Sequence, residues 1–247
     1  MKKNYKMMIQ YDGSRFYGWQ RQPDQDTVQG RMENVLARMC GGEQIETIGA
    51  GRTDAGVHAK GMVANVVMET SLSVEEIRDY LNQYLPDDIA VTEVRVASDR
   101  FHARYNAIGK TYRYTCYDGT VKDVFGRKYQ WTLSEKPDME RMKVAAEVLL
   151  GEHDFRNFCV NPRMKKSTVR KIDRLEVERD GDKIFFTIHG NGFLQNMVRI
   201  IVGSLVEVGC GRMEKEDLLA ALNTTERRKA GPTAPPQGLC LMQVDYD

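Results

Sequence analysis

The order of strand-like and helix-like patterns constrains the fold of this 247-residue chain most, because the same order occurs twice. Between residues 5 and 96, apolar alternation marks strands and apolar residues at helical spacing mark helices, in the order β-α-β-β-α-β. The predicted strands are 5–11, 44–48, 62–68 and 89–96, and the predicted helices are 28–40 and 74–85. Ser73 is the expected N-cap of the second helix, with Glu75 and Glu76 in its first turn.

The second half of the chain repeats this order of elements. We predict strands at 111–117, 171–178, 184–189 and 239–244, and helices at 139–150, 193–208 and 215–222. A β-α-β-β-α-β unit is typical of ferredoxin-like folds. The expected fold class is therefore α+β, with two ferredoxin-like halves, 1–104 and 105–247. Their sheets would meet as one large mixed, mostly antiparallel sheet with helices on one face and a central cleft.

The composition, 41% hydrophobic and 29% charged residues, is that of a soluble globular protein. No apolar run reaches the length of a signal peptide or a membrane span, so we expect a cytoplasmic protein with no membrane partner. The five cysteines are far apart and include no Cys-x-x-Cys pair, which favours reduced thiols over a disulfide framework or a zinc site.

Basic residues are concentrated in the middle of the chain. Residues 95–174 contain 18 lysines and arginines against 10 aspartates and glutamates, although the net charge of the whole chain is only +1. One cluster interleaves with aromatic residues and comprises Arg100, Phe101, His102, Arg104, Tyr105, Lys110, Tyr112, Arg113 and Tyr114; a second comprises Arg163, Lys165, Lys166, Arg170 and Lys171. Such clusters suit contacts with RNA phosphates, and a solvated charged face is the alternative for either one.

The segment 49–59, Gly-Ala-Gly-Arg-Thr-Asp-Ala-Gly-Val-His-Ala, surrounds one carboxylate with small residues. Glycine permits positive φ and leaves room for the close approach of a ligand, although such a string is also a common turn. Asp54 is therefore a candidate nucleophile that a nearby cation would keep ionised. Arg52 and His58 flank it as candidates for binding phosphate or helping to extrude a base. A structural role is the alternative for His58, because a lone histidine on a loop that leads into a strand is usually structural.

Two further residues stand out on the predicted elements of the second half. Arg199 lies in an apolar helix, where a guanidinium is costly unless it is paired, the alternative being an arginine whose head reaches solvent from the helix edge. Tyr112 and Tyr114 lie on the same face of a strand, where a tyrosine can stack on a base or simply fill the core.

Five ordered motifs resemble the tRNA pseudouridine synthase A family over essentially the whole chain. The motifs are 11–33, 49–59, 101–114, 193–203 and 230–239, and the second contains the string Gly-Arg-Thr-Asp-Ala-Gly-Val-His at 51–58. The resemblance implies the pseudouridine synthase fold, with the active site at the junction of the two halves. It also implies that Asp54 is catalytic, that Arg199 pairs with it, and that Tyr112 stacks on the target base.

The resemblance further implies an isomerase that needs no metal or organic cofactor. Its substrate would be the anticodon stem-loop of tRNA, modified at uridines 38, 39 and 40, and the protein would act as a homodimer. Arg104 is a candidate contact to the RNA backbone. Whether Asp54 attacks C6 of the base or C1′ of the ribose stays open at this stage.

Two other functions are alternatives to this one. A noncatalytic RNA-binding protein could also be built from two such halves with aromatic residues on the sheet, but it would not need Asp54 and Arg199. A hydrolase that uses Asp54 and His58 would need a set of metal ligands or a catalytic triad, and the sequence shows neither.

Overall fold

The computed structural model describes residues 1–161, 167–224 and 230–247, which form two compact units. The first unit consists of Met1–Ile108 and Cys240–Asp247, and the second of Gly109–Leu239. These units differ from the predicted halves, 1–104 and 105–247, mainly because the last eight residues belong to the first unit. No helix within the described ranges is long and apolar enough to cross a membrane.

The strands and helices of the described residues are as follows, in chain order. They are β1 (Lys3–Tyr11), α1 (Val28–Met39), β2 (Thr47–Gly49), β3 (His58–Met68), α2 (Val74–Tyr84), β4 (Ile89–Ala97), β5 (Ala107–Tyr117), β6 (Trp131–Thr132), α3 (Met139–Glu147), β7 (Gly151–Asp154), β8 (Val169–Asp180), β9 (Lys183–Gly190), α4 (Met197–Gly209), α5 (Lys215–Asn223) and β10 (Leu239–Tyr246).

In the first unit, β1 is the central strand and pairs antiparallel with both β3 and β4. Two short partners share β3: β2 pairs antiparallel with residues 64–66, and β10 pairs parallel with residues 58 and 59. The β10 pairing is what brings the end of the chain into this unit. The predicted start of α2 is confirmed, because Ser73 and Glu76 form a reciprocal capping box.

In the second unit, β5, β9, β8 and β7 are adjacent in that order and antiparallel, and β6 adds a short parallel pairing to β5. The predicted hairpin of β8 and β9 is confirmed. Antiparallel pairs predominate in both units, and each unit also contains one parallel pair, β3 with β10 in the first and β5 with β6 in the second. The predicted α+β class with mixed, mostly antiparallel strands is therefore confirmed.

The predicted start of α4 at residue 193 was wrong. The helix begins at Met197, because Asn196 adopts a left-handed conformation (φ 61°) that a continuing α-helix cannot contain. The amide of Met197 instead closes a turn by donating to the carbonyl of Leu194. Of the second basic cluster, Arg170 and Lys171 lie in β8, and residues 163–166 lie outside the described residues.

Candidate active site

The Asp54 loop, residues 50–57, connects β2 to β3 in the first unit. At its start the amide of Ala50 donates to the carbonyl of Val63 over 2.7 Å. At its end the amide of Val57 donates to the carbonyl of Asp54 over 3.1 Å, with Gly56 at φ +77° inside the turn. Asp54 is partly exposed in this turn and is followed by two small residues, Ala55 and Gly56.

The segment 13–19 holds the main chain of the Asp54 loop. Trp19 donates from its amide to the carbonyl of Thr53 over 3.1 Å, and the amide of Gly56 donates to the carbonyl of Phe16 over 3.2 Å. Gly18 lies so close that a Cβ atom there would be 2.5 Å from the carbonyl oxygen of Thr53. Two motifs more than 30 residues apart in the sequence thus form one structure, in which the backbone on both sides of Asp54 is fixed.

A buried side-chain contact adds to this backbone support. The hydroxyl of Tyr11 lies 2.8 Å from Oγ1 of Thr53, and both residues are buried. The ring of Tyr11 also packs against that of Trp19, with ring centroids 6.1 Å apart. The residue before Asp54 is therefore held through its carbonyl and through its side chain.

His58, at the other end of the loop, faces inward. Only 5% of the residue is exposed, and the amide of Gly13 donates to its Nδ1 over 3.0 Å. Nδ1 also lies 3.1 Å from a carboxylate oxygen of Asp12, which itself accepts the amide of Ser14. In this arrangement His58 supports the start of the segment that holds the loop.

Arg52 and Arg104, the candidates for contact with RNA, are exposed. Arg52 lies two residues before Asp54 in the loop, and Arg104 lies in the connection between β4 and β5. Both belong to the first unit.

In the second unit, Arg199 lies in the first turn of α4 and is partly buried. Its Nε donates to the carbonyl of Ala234 over 2.7 Å, and one of its terminal nitrogens donates to the side-chain oxygen of Asn196 over 3.1 Å. The amide of Ala234 returns a bond to the carbonyl of Arg199 over 3.1 Å. The guanidinium is therefore directed by two neutral oxygens and fixed relative to the helix.

The segment 230–235 packs along α4, a feature that the sequence analysis did not assign to any element. Gly203 lies against it so closely that a Cβ atom there would overlap the carbonyl oxygen of Pro232. The hydroxyl of Ser204 accepts the amide of Gly231 over 2.8 Å and donates to the carbonyl of Ile200 over 2.7 Å. The one glycine and three prolines of residues 231–236 were the available signal, since they exclude an α-helix, but they do not identify the part of the chain against which the segment packs.

The two tyrosines of β5 have different surroundings. Tyr114 is fully buried, and its hydroxyl donates to the carbonyl of Pro235 over 2.7 Å, beside the carbonyl that Arg199 binds. Burial raises the pKa of its hydroxyl far above the ordinary value. Tyr112 is 8% exposed, and its ring meets that of Phe193 edge to face at 5.3 Å. Tyr114 therefore stabilises the 230–235 segment, and Tyr112 is the better candidate for contact with a base.

Chemically, the described residues supply a carboxylate, guanidinium groups and aromatic rings. Among them there is no group of three or more histidine, cysteine, aspartate or glutamate side chains that could hold a metal ion. None of the five cysteines forms a disulfide, and burial raises the pKa of the Cys116 thiol well above its ordinary value, so that it stays protonated.

Comparison with known proteins identifies the family. The family model described as tRNA pseudouridine synthase matches residues 7–106 and 145–247. The chain is 45% identical over 244 residues to tRNA pseudouridine synthase A of Bacillus sp. (strain KSM-64), covering 98% of this chain and 99% of that one. It is also 45% identical to tRNA pseudouridine synthase A 2 of Bacillus cereus (strain ZK / E33L), with the same coverage.

A more distant relative carries the same protein name. The tRNA pseudouridine synthase A of Syntrophotalea carbinolica is 42% identical over 241 residues, covering 98% of this chain and 95% of that one. Because the identity is high and extends over nearly the full length of each relative, this chain belongs to the tRNA pseudouridine synthase family.

Proposed function

We propose that this protein converts uridine to pseudouridine in tRNA, with Asp54 as the nucleophile. The observation that carries the proposal is the placement of Asp54, a partly exposed residue on a loop whose backbone is held on both sides by segment 13–19. A noncatalytic RNA-binding protein would have no use for a carboxylate displayed in this way, since it repels phosphates. Family membership supports the same reaction.

The reaction breaks the C1′–N1 glycosidic bond, turns the base and joins C1′ to C5. The hydrogen of C5 then leaves as a proton, and N1 takes up a proton, so that the product is an isomer of the substrate. Asp54 forms a transient covalent bond to C6 of the base or to C1′ of the ribose. A bond to C1′ breaks as C5 attacks C1′, and a bond to C6 breaks after C1′ and C5 have joined. No electrons are exchanged with another molecule and no water is consumed. The protein therefore has to supply a nucleophile, a site that retains the detached base, and a cation that keeps the carboxylate ionised.

We assign these remaining roles to residues of both units. Arg199 is the cation that pairs with Asp54, which is consistent with a guanidinium directed by two neutral oxygens. Tyr112 is the ring that stacks on the target base. Arg52 and Arg104 bind phosphates of the RNA, and His58, whose ring is buried against Gly13, assists substrate binding through the loop that it holds.

The finer parts of the proposal concern the substrate and the assembly. We propose the anticodon stem-loop as the modified region, with uridines 38, 39 and 40 as targets, a homodimer as the active form, and the cytoplasm as its location. The relatives, which are named for tRNA, and the basic surplus of residues 95–174 support an RNA partner recognised by its shape and backbone.

The test replaces the nucleophile with an isostere. Asp54→Asn keeps the size of the side chain but removes its charge and nearly all of its nucleophilicity, so isomerisation should fall by at least about 10⁴-fold while tRNA binding and folding persist. The measurement is the single-turnover release of tritium from uridine C5 in full-length tRNA, with binding measured separately on the same preparations.

The matched control is Asp79→Asn, at a carboxylate on the outer face of α2 that is 66% exposed and pairs with Arg78. It should release tritium at the wild-type rate. Substantial turnover by Asp54→Asn would contradict the assignment of the nucleophile. A wild-type protein that binds tRNA tightly but releases no tritium would instead support the noncatalytic alternative.

A further inference from the structure

The connection between β4 and β5, residues 98–106, displays an aromatic stack on the surface of the first unit. Tyr105 is 80% exposed, which is more than Tyr17, another surface tyrosine of the same unit, at 57%. Its ring stacks on that of His102, with centroids 4.1 Å apart and planes inclined by 27°. One face of the tyrosine ring is thus covered by an imidazole, and the other face is open to solvent.

The turn beneath this stack is fixed by hydrogen bonds at both ends. The amide of His102 donates to the side-chain oxygen of Asn106 over 2.7 Å, and the amide of Asn106 donates to the carbonyl of His102 over 3.0 Å. Nδ1 of His102 accepts the amides of Arg104 and Tyr105, each at 3.2 Å. The imidazole that supports Tyr105 therefore has a defined position relative to the backbone of Tyr105.

A buried polar network fastens the same turn to the sheet. Ala103 has no exposed surface; its amide donates to the side-chain oxygen of Asn65 over 2.8 Å, and its carbonyl accepts the hydroxyl of Tyr246 over 2.7 Å. Asn65 in turn donates to the side chain of Asn4, which donates to the carbonyl of Phe101. Asparagines buried to this degree are costly unless they are fully hydrogen-bonded, and here their bonds go to the turn.

The charge around the stack is positive. Arg100 and Arg104 are exposed, and neither pairs with a carboxylate among the described residues, whereas Arg95 in β4 pairs with Glu93. Asp99 is the one carboxylate within residues 98–106. An exposed ring on an anchored turn, with two unneutralised guanidinium groups beside it, is suited to a flat anionic partner.

We infer that Tyr105 is a stacking platform for an unpaired base of the RNA substrate, with Arg104 on a neighbouring phosphate. The inference rests on the proposed function, since tRNA offers unpaired bases in its loops. A base can cover the open face of the ring and continue the stack that His102 begins. Because the turn is fixed before binding, little conformational entropy is lost when the base docks. Polar neighbours and guanidinium groups favour a nucleotide over an apolar protein surface.

The first experiment measures binding of a tRNA anticodon stem-loop at constant salt. Loss of one stacked base corresponds to roughly tenfold weaker binding, so Tyr105→Ala and Tyr105→Leu should both bind about tenfold more weakly, and Tyr105→Phe within about twofold of the wild type. Tyr84→Ala is the matched control, because Tyr84 is an exposed tyrosine of α2 in the same unit. Single-turnover tritium release at saturating RNA should stay within about twofold for all four variants, since Tyr105 is assigned to binding and not to chemistry.

The second experiment identifies the docked base with stem-loops that carry one abasic nucleotide at each loop position in turn. At one position the abasic change should weaken binding of the wild type about tenfold and leave the binding of Tyr105→Ala unchanged, because the two changes remove the same contact. Tyr105→Ala binding as tightly as the wild type would contradict the stacking role of Tyr105. So would affinity losses from the abasic change and from Tyr105→Ala that add at every loop position. Either result would leave the proposed function standing. If the abasic change at one position weakens binding of the wild type but not of Tyr105→Ala, and the wild type releases no tritium, the stacking role stands and the proposed function is wrong.

Discussion

The Asp54 loop in the first unit and the segment 230–235 in the second are both held against a distant part of the chain, but by different kinds of contact. The Asp54 loop is held mainly by backbone, through the amides of Trp19 and Gly56 and the close approach of Gly18. The segment 230–235 is held mainly by side chains, namely Arg199, Ser204 and Tyr114. Backbone contacts leave the side chains of the loop available to the substrate, whereas side-chain contacts make the second region dependent on each residue that provides one.

The comparison is tested most strongly at Gly18. This residue has φ +89°, and a Cβ atom there would lie 2.5 Å from the carbonyl oxygen of Thr53. Gly18→Ala should lower the free energy of unfolding by about 2–3 kcal/mol through backbone strain and displacement of the loop. Isomerisation at saturating tRNA should fall about a hundredfold, because a nucleophile that is misplaced by about 1 Å loses its alignment. Chemical denaturation and tritium release are the measurements.

Gly42 provides the control for this change. Its φ is +93°, close to that of Gly18, but nothing lies within 4 Å of the position of a Cβ atom. Gly42→Ala should therefore lower the free energy of unfolding by about 1 kcal/mol, through the backbone conformation alone, and leave the activity unchanged. Equal activity losses in the two variants would show that contact with the Asp54 loop is not what matters at Gly18.

These contacts also mark the limit of what the sequence predicts. The elements themselves follow from local patterns: the cap at Ser73 and the periodicity of α2 are visible in the sequence and are found in the structure. The start of α4 is not visible, because Phe193 and Leu194 continue the apolar pattern while Asn196 interrupts the helix through its backbone conformation. The approach of segment 13–19 to the Asp54 loop has no periodicity, so the motifs indicated that both segments matter but not that they touch.

Segment 230–235 should be destabilised by the loss of a single side chain, that of Arg199. Arg199→Ala removes the bonds to Ala234 and Asn196, and we expect the free energy of unfolding to fall by about 2 kcal/mol, with loss of isomerisation. Arg199→Lys keeps the charge but cannot reach both oxygens with a planar fork. If geometry is what this region contributes, the lysine variant should recover little of the activity. Recovery close to the wild-type rate would mean that charge alone is required.

The smallest expected effect is at Tyr11, and it is informative when set beside Ser204. Tyr11→Phe removes the neutral hydrogen bond to Thr53. Ser204→Ala removes the bond from the amide of Gly231 and the bond to the carbonyl of Ile200, but a hydroxyl bond to the i−4 carbonyl within a helix adds little stability. Each variant should therefore lower the free energy of unfolding by about 1 kcal/mol. Their effects on isomerisation should differ. Trp19 and Gly56 still hold the loop in Tyr11→Phe, which should keep its single-turnover rate within about threefold. Ser204→Ala releases one of the few side-chain contacts of segment 230–235, and with it the acceptor that directs Arg199, so its rate should fall about tenfold. Equal rate losses at equal destabilisation would show that backbone contacts and side-chain contacts hold the two regions in the same way.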